Sequence, residues 1–398
     1  MHVAITGAEA VTCLGDADAT FAALCAGTDG SEPLRFHDTA RIGVTRGYHV
    51  QDTTEATEAT GTVGSDGTEG TEGTVEGGEA SLRAGRWLAR CVAGAVRRAG
   101  IDPARQRVTV IVGTGLRELR AVERWALDGV PVRRRDLHFD AAVRAVLPGA
   151  TEVITVSNAC SASGHALALA QDLLTAGEAD AVVAAGCDAM TASMLTMIGR
   201  VADAPTAALQ PFQEGRAGVL LGEGAVAMVL QPATAEGIAP LATVLATGLS
   251  CDAHHETAPD VAGIVAAMRD AHRRAGVDPR DIGLVLAHGT GTALNDPTEA
   301  AALREVFPDT APGPLVTGVK GAIGHTSGSA ALMSLLVAAQ ALRTGTVPAT
   351  VGLSEPIPEA AELRLVTGEP AACDARLAQV NAFGFGGVNA VSVIRVDR

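Results

Sequence analysis

The chain has 398 residues, 47% of them hydrophobic and 19% charged, which is enough to bury one large core or two fused ones. A formal net charge of −15 argues against a general nucleic-acid binder, because phosphate contacts need a basic surface. Seven scattered cysteines with no CxxC pair argue against a disulfide scaffold or zinc site and for a reducing cytoplasm, and the lack of a basic leader or of an apolar run of about 18 residues argues against secretion or a membrane span.

In chain order, HVAITG (2–7) reads as a first buried strand. Residues 51–80, rich in Thr, Glu and Gly, carry eight acids and no Lys or Arg, and are expected to form a mobile, solvated insertion. A helical run over 82–99 leads to the strand RVTVIVGTG (107–115). TEVITVSNA (151–159), a helix over 162–176, ADAVVAAG (179–186) and GAVAMVLQ (224–231) follow. The pattern then repeats with helices over 260–275, 298–306 and 329–343, interleaved with LVLAHGTG (284–291) and LVTGVKG (315–321), and ends on AVSVIRV (390–396). Near-continuous apolar strands between helices predict buried sheets covered by helices, an α/β layered architecture. RRAGIDPARQRVTVIVGTG (97–115) also aligns without gaps to RRAGVDPRDIGLVLAHGTG (273–291), and CSASGHALALAQDLLTAG (160–177) echoes GSAALMSLLVAAQALRTG (328–345). The chain is therefore expected to consist of two similar halves, over 1–240 and 241–398.

Four stretches carry candidate chemistry. Cys160 stands between a buried strand and a helix, where unpaired N–H groups and the helix dipole would favour a reactive thiolate. His288 closes an apolar run beside Gly289 and Gly291, with Thr290 and Thr292 able to bond a polar ligand arm. Asp296 and Glu299 also read as a helix-capping box around Pro297, with Asp296 as the cap. Lys320 is the only lysine in the chain, a compact and tunable ammonium among arginines, and His325 lies five residues on. Last, Phe383, Gly384, Phe385 and Gly386 form a tight loop whose backbone N–H could face an oxyanion.

Together, ACSASG, HGTGTALNDPTE, KGAIGHTSGSA and NAFGFGGVNA resemble the motifs of the elongating β-ketoacyl synthases of the thiolase superfamily, over nearly the whole chain outside 51–80. The resemblance implies duplicated βαβαβαββ halves in an α-β-α-β-α sandwich. It implies decarboxylative Claisen condensation: an acyl chain held on Cys160, and a malonyl thioester decarboxylated between His288 and His325. Lys320 and Glu299 would form a supporting ion pair. The N–H groups of Cys160 and Phe385 would make the oxyanion hole, with Phe385 and its loop neighbours Phe383, Gly384 and Gly386 as acyl gate. Thr290 and Thr292 would hold the pantetheine arm. No metal or cofactor is implied beyond the phosphopantetheine of an acyl carrier protein, the expected partner, for which Arg133, Arg134 and Arg135 offer a docking patch. A homodimer, or a heterodimer with a chain-length-factor-like subunit, is expected by analogy. Two departures, Phe212-Gln213-Glu214-Gly215-Arg216-Ala217-Gly218-Val219 where the family has Phe-Asp-x-x-Arg-Asp-Gly-Phe, and Val388 in place of Thr, tilt the reading from fatty-acid elongation toward polyketide or other secondary metabolism. A thiolase lacks support, since no cysteine stands in the C-terminal glycine loop, and His325 argues against the Cys–His–Asn initiating synthases. A non-elongating partner or scaffolding subunit is the other alternative.

Overall fold

The computed structural model describes residues 2–35, 39–51, 82–201, 206–233, 239–307 and 312–397, so the acidic segment lies outside the described residues except for Gln51. Its first half runs β1 (Val3–Thr12), α1 (Arg83–Ala99), β2 (Val108–Thr114), α2 (Asp140–Val146), β3 (Glu152–Ser157), α3 (Ala162–Ala176), β4 (Ala181–Asp188) and β5 (Gly224–Pro232). The second half repeats the order with β6 (Ala242–Cys251), α4 (Val261–Ala275), β7 (Leu284–Leu286), α5 (Asn295–Val306), β8 (Leu315–Thr317), α6 (Ala330–Thr344), β9 (Leu377–Gly384) and β10 (Val388–Arg395). The two halves are similar, as the internal repeat predicts, and each is a βαβαβαββ unit, as the resemblance implies.

The strands pair in the order β3-β2-β4-β5-β1 in one half and β8-β7-β9-β10-β6 in the other. In both, the first three are parallel and the last two join antiparallel. The halves fuse where Val3–Ile5 of β1 pairs with Ala242–Val244 of β6, giving one 12-stranded sheet among the described residues. The register slips once in each repeat, leaving Thr6 in β1 and Leu245 in β6 as the extra residues. Such bulges sharpen local twist, and here they occupy equivalent positions.

Three apolar clusters define the layers. One packs α1 and α2 on the outer face of the first half-sheet, through residues such as Trp87, Leu88, Val110 and Phe139. Another packs α4 and α5 on the outer face of the second, through Ile264, Met268, Val285 and Leu303. Between the half-sheets lie α3 and α6, built from Ala, Leu, Val and Met and buried against both. Small residues let these two central helices approach the sheets closely, which answers to the chain's poverty in aromatics. Helices α1, α3, α4 and α6 all end on a left-handed glycine (Gly100, Gly177, Gly276, Gly345), where an L side chain would be strained.

Some expected boundaries move. β7 stops at Leu286, so the HGTG stretch is loop rather than strand. β8 stops at Thr317, and Lys320–Ile323 is a helical turn. β6 and β9 are strands that the reading by apolar runs passed over. In β6, Gly248 and three serine or threonine positions, Thr243, Thr247 and Ser250, interrupt the apolar signal. In β9, buried Gln379 and Asn381 do so.

Candidate active site

Cys160 sits in a single 3₁₀ turn, Ala159–Ser161, between the end of β3 and the start of α3. The turn is entered through Ala159 at φ +49°, a left-handed backbone that costs an alanine about 1–2 kcal/mol. α3 can bring its N-terminus against β2 because residue 113 is glycine: a Cβ there would lie 2.4 Å from the Ser163 nitrogen. Cys160 itself is half-buried. Its thiol is pushed up to about 11, since burial, helped by the Asp188 carboxylate, outweighs the pull of the Lys320 ammonium and of the Phe385 and Cys160 N–H groups. The lowered pKa expected from the helix N-terminus is therefore not what the folded chain has; desolvation wins.

His288, in the loop after β7, and His325, just before the turn into α6, meet each other in the second half. Their rings stand 5.5 Å apart, edge to face. Phe383, buried on β9, props His288 at 5.4 Å. The Ser327 N–H donates to Nδ1 of His325 at 3.2 Å, and the Lys320 ammonium stands 3.4 Å from Nδ1 of His288. Both donors can only donate, so each imidazole keeps its own hydrogen on Nε2. Burial and the Lys320 charge hold both rings far below the ordinary histidine pKa, so both are neutral donors at pH 7.

Lys320 is 2% exposed and is pulled down to about 8 by burial, against the opposing influence of Glu299, Cys160 and Asp296. Its ammonium donates to the His288 carbonyl. Glu299 does not contact it directly, and the expected ion pair is replaced by a shared grip on His288. Glu299 accepts from the His288 N–H at 2.7 Å and the Gly289 N–H at 2.8 Å, and from Asn381 and Asn295. Two backbone donors and two amides already occupy the carboxylate, which leaves Lys320 to act on it through space. The capping-box reading also gives way. α5 starts one residue earlier than Asp296, which lies inside the first turn and is fully buried. Its carboxylate accepts from the N–H groups of Phe212, Thr290 and Gly291, tying the HGTGT loop to the 212–219 segment.

That segment explains its own departures in part. Arg216 donates to the Thr292 carbonyl at 3.0 Å and lies 3.5 Å from Asp296. Gln213 accepts from the N–H groups of Ser354 and Glu355, a loop clamp. Thr290 and Thr292 pair through their hydroxyls at 3.0 Å at the rim of the site, and Thr292 also caps Asn295. The Phe385 ring is 48% exposed, while Gly384 ends β9 and Gly386 turns the loop at φ +85°. Arg133, Arg134 and Arg135 are exposed in a short turn, with Arg133 paired to Asp136 at 2.8 Å.

Sequence reasoning missed Asp188. At the end of β4 and 1% exposed, it accepts from the Thr114 hydroxyl and from the N–H groups of Gly115, Leu116 and Gly328. It thereby ties the end of β2 to the turn that supplies the Ser327 N–H to His325. An acid closing an apolar strand at GCDAM was its one signal in the sequence. Among the described residues, no group of three or more His, Cys, Asp or Glu side chains is arranged to hold a metal ion, and no helix is long and apolar enough to cross a membrane.

The profile for "Beta-ketoacyl synthase, N-terminal domain" matches residues 1–235, and that for "Beta-ketoacyl synthase, C-terminal domain" matches residues 241–354. Nodulation protein E of Rhizobium meliloti is 39% identical over 246 residues, 60% of this chain and 60% of that protein. The 3-oxoacyl-[acyl-carrier-protein] synthase 2 of Coxiella burnetii is 32% identical over 254 residues, 61% of each. These alignments thus span less than two thirds of the curated relatives. Among solved structures, the ishigamide ketosynthase/chain length factor superimposes with a TM-score of 0.84 at 28% identity, covering 100% of this chain and 99% of that one. A β-ketoacyl synthase from Burkholderia phymatum, 23% identical, shares the fold with a TM-score of 0.83, covering all of both chains. The fold is that of the thiolase-like ketosynthases, and the chain belongs to the β-ketoacyl synthase family.

Proposed function

We propose that the chain is a β-ketoacyl synthase that condenses an acyl thioester, held on Cys160, with a malonyl thioester delivered by an acyl carrier protein. The observation that carries this reading is the pair of neutral imidazoles whose Nδ1 atoms are both occupied, which leaves two Nε2–H donors available, with one ammonium, that of Lys320, acting on both rings and on the Cys160 thiol.

The chemistry follows in two stages. In the first, the sulfur of Cys160 attacks the acyl carbonyl, the oxyanion is met by the Cys160 and Phe385 N–H groups, and the carrier thiolate leaves. The proton lost by Cys160 equals the one gained by the leaving thiol, so the exchange needs no net base, which suits a thiol held at about 11. In the second, the malonyl carboxylate departs as CO₂, and the electron pair of the broken C–C bond forms an enolate whose oxygen accepts from both Nε2–H groups. Preorganised donors in a dry pocket stabilise such charge far better than water. The enolate carbon then attacks the acyl–Cys160 carbonyl, the C–S bond breaks, and the cysteine thiolate takes a proton from solvent. Thr290 and Thr292, at the rim, fit the polar pantetheine arm, and no cofactor is needed beyond that arm.

The departures at 212–219 and Val388, together with the likeness to the ishigamide ketosynthase/chain length factor, favour polyketide or related secondary metabolism. The likeness to 3-oxoacyl-[acyl-carrier-protein] synthase 2 keeps fatty-acid elongation as the second reading. The same ketosynthase/chain length factor neighbour makes a second ketosynthase-like subunit, or a second copy of this chain, the partner to look for. The two halves, 1–240 with the nucleophile and 241–398 with the histidines, act as one unit, and a cytoplasmic setting fits the free thiol. The test is purified protein with malonyl-carrier protein and a panel of acyl-carrier proteins, read by mass spectrometry. Elongation of any acyl group supports the reading. CO₂ release without elongation points to a non-elongating subunit, and no reaction with any acyl group overturns it.

A further inference from the structure

A buried polar chain crosses the second half of the molecule and ends on the candidate site. His272, in the last turn of α4 and 4% exposed, bonds through Nε2 to Gln379 Oε1 at 2.6 Å. Gln379 Nε2 donates to Asn381 Oδ1 at 2.8 Å, and Asn381 Nδ2 donates to Glu299 Oε1 at 2.9 Å. The same Glu299 oxygen accepts the His288 N–H at 2.7 Å. Gln379 and Asn381 can take part together because they are two apart on β9 and so face the same side of the sheet.

The direction of this chain is fixed from one end. An ionised carboxylate only accepts, so Asn381 must turn its NH₂ toward Glu299. Its oxygen then needs a donor, which Gln379 supplies with its own NH₂. The Gln379 oxygen in turn needs a donor at position 272. Either amide, if flipped, would place oxygen against oxygen in a site closed to water, at the cost of an unmade buried hydrogen bond. We infer that His272 is a positioning residue for the condensation: its Nε2–H locks the two amides, the amides hold Glu299, and Glu299 holds the backbone of His288 and Gly289. This rests on the proposed function, and His272 reaches neither substrate nor reacting atoms.

A bland role for His272 exists, since its ring also packs against Phe307 with centroids 5.8 Å apart. The two roles predict opposite substitutions. His272→Phe keeps the aromatic packing and removes the donor, whereas His272→Gln keeps a donor and removes the ring. Gln379→Met breaks the chain at a second point with little change in volume. CO₂ release from malonyl-carrier protein and acylation of Cys160 are measured separately, and amide hydrogen exchange is followed at residues 286–291. The inference expects His272→Phe and Gln379→Met to release CO₂ about tenfold more slowly, as the loss of one buried hydrogen bond implies. Both should acylate Cys160 at the parent rate and exchange faster at His288 and Gly289, and His272→Gln should stay near the parent. Parent behaviour in His272→Phe, or equal impairment in His272→Phe and His272→Gln, overturns the inference. Should the parent neither acylate nor release CO₂, the proposed function fails instead, and the exchange comparison still decides the positioning role.

Discussion

Ala159 and Ser327, 168 residues apart in sequence, take the same left-handed backbone conformation, φ +49° and +52°, at the same point of the two repeats. Each opens the 3₁₀ turn that precedes a central helix, α3 or α6. The residue after Ala159 is Cys160, and the residue after Ser327 is Gly328, whose N–H donates to Asp188. The first repeat uses this strained turn to present the Cys160 thiol; the second uses it to aim a backbone donor at His325. Glycine at either position removes the strain at some entropic cost, so Ala159→Gly and Ser327→Gly should each raise stability by about 1 kcal/mol or less in chemical denaturation. Ser327→Gly should also slow CO₂ release, because the turn that fixes the His325 tautomer gains freedom.

Under the proposed mechanism, replacing His325 by Ala removes one of two enolate donors. Release of CO₂ should fall about 10²–10³-fold, while radiolabelled acyl transfer to Cys160 stays within a few-fold of the parent. Equal loss in both steps would mean that His325 serves the fold rather than the second stage.

The free Cys160 thiol, held at about 11, should react slowly with iodoacetamide at pH 7.5 and accelerate as pH climbs beyond 9. Peptide mass spectrometry across a pH series measures this directly. Asp188→Asn removes the negative charge that opposes the thiolate and should shift the alkylation profile to lower pH. Asp188→Ala, which orphans four donors, three of them buried, should destabilise the fold by about 3 kcal/mol or more.

Lys320 sets a basic limb. With its ammonium pulled down to about 8, CO₂ release should decline above that pH if the charge is needed to hold His288. The effect on stability has the opposite sense. A folded-state value below the unfolded value of 10.5 means that the unfolded chain binds the proton more tightly between about 8 and 10.5. Stability from this group therefore rises with pH across that window. Cys160 works against it: its raised value gives a contribution that is present below 9 and lost as pH rises through about 11. Urea titrations of the parent and of Lys320→Met between pH 7 and 10 separate the two, the difference narrowing in the parent's favour as pH rises.

The duplication into two similar halves was legible in RRAG-x-DP and its echo because apolar strands and glycine-ended helices leave a direct mark on composition, while the βαβαβαββ order came from the family resemblance. Cys160, His288, Lys320 and His325 were legible because small residues crowd around each. The strands β6 and β9 were not, since Gly248, Gln379 and Asn381 break the apolar run while satisfying demands from elsewhere in the fold. Asp188, and the clamp of Glu299 on the His288 backbone, depend on contacts between distant segments, which no local pattern encodes. The thiol's raised pKa was missed for a related reason: the helix terminus is visible in the sequence, but the depth at which the turn is buried is not.

Lys320 is the single lysine of the chain, and it lies within reach of the Cys160 sulfur's electric field. Feeding cells lysine labelled at one atom, ¹⁵N at Nζ or ¹³C at Cε, would therefore yield one resonance from the entire polypeptide. That lone signal would be a built-in voltmeter for the cavity, following acyl loading and CO₂ loss without any engineered tag.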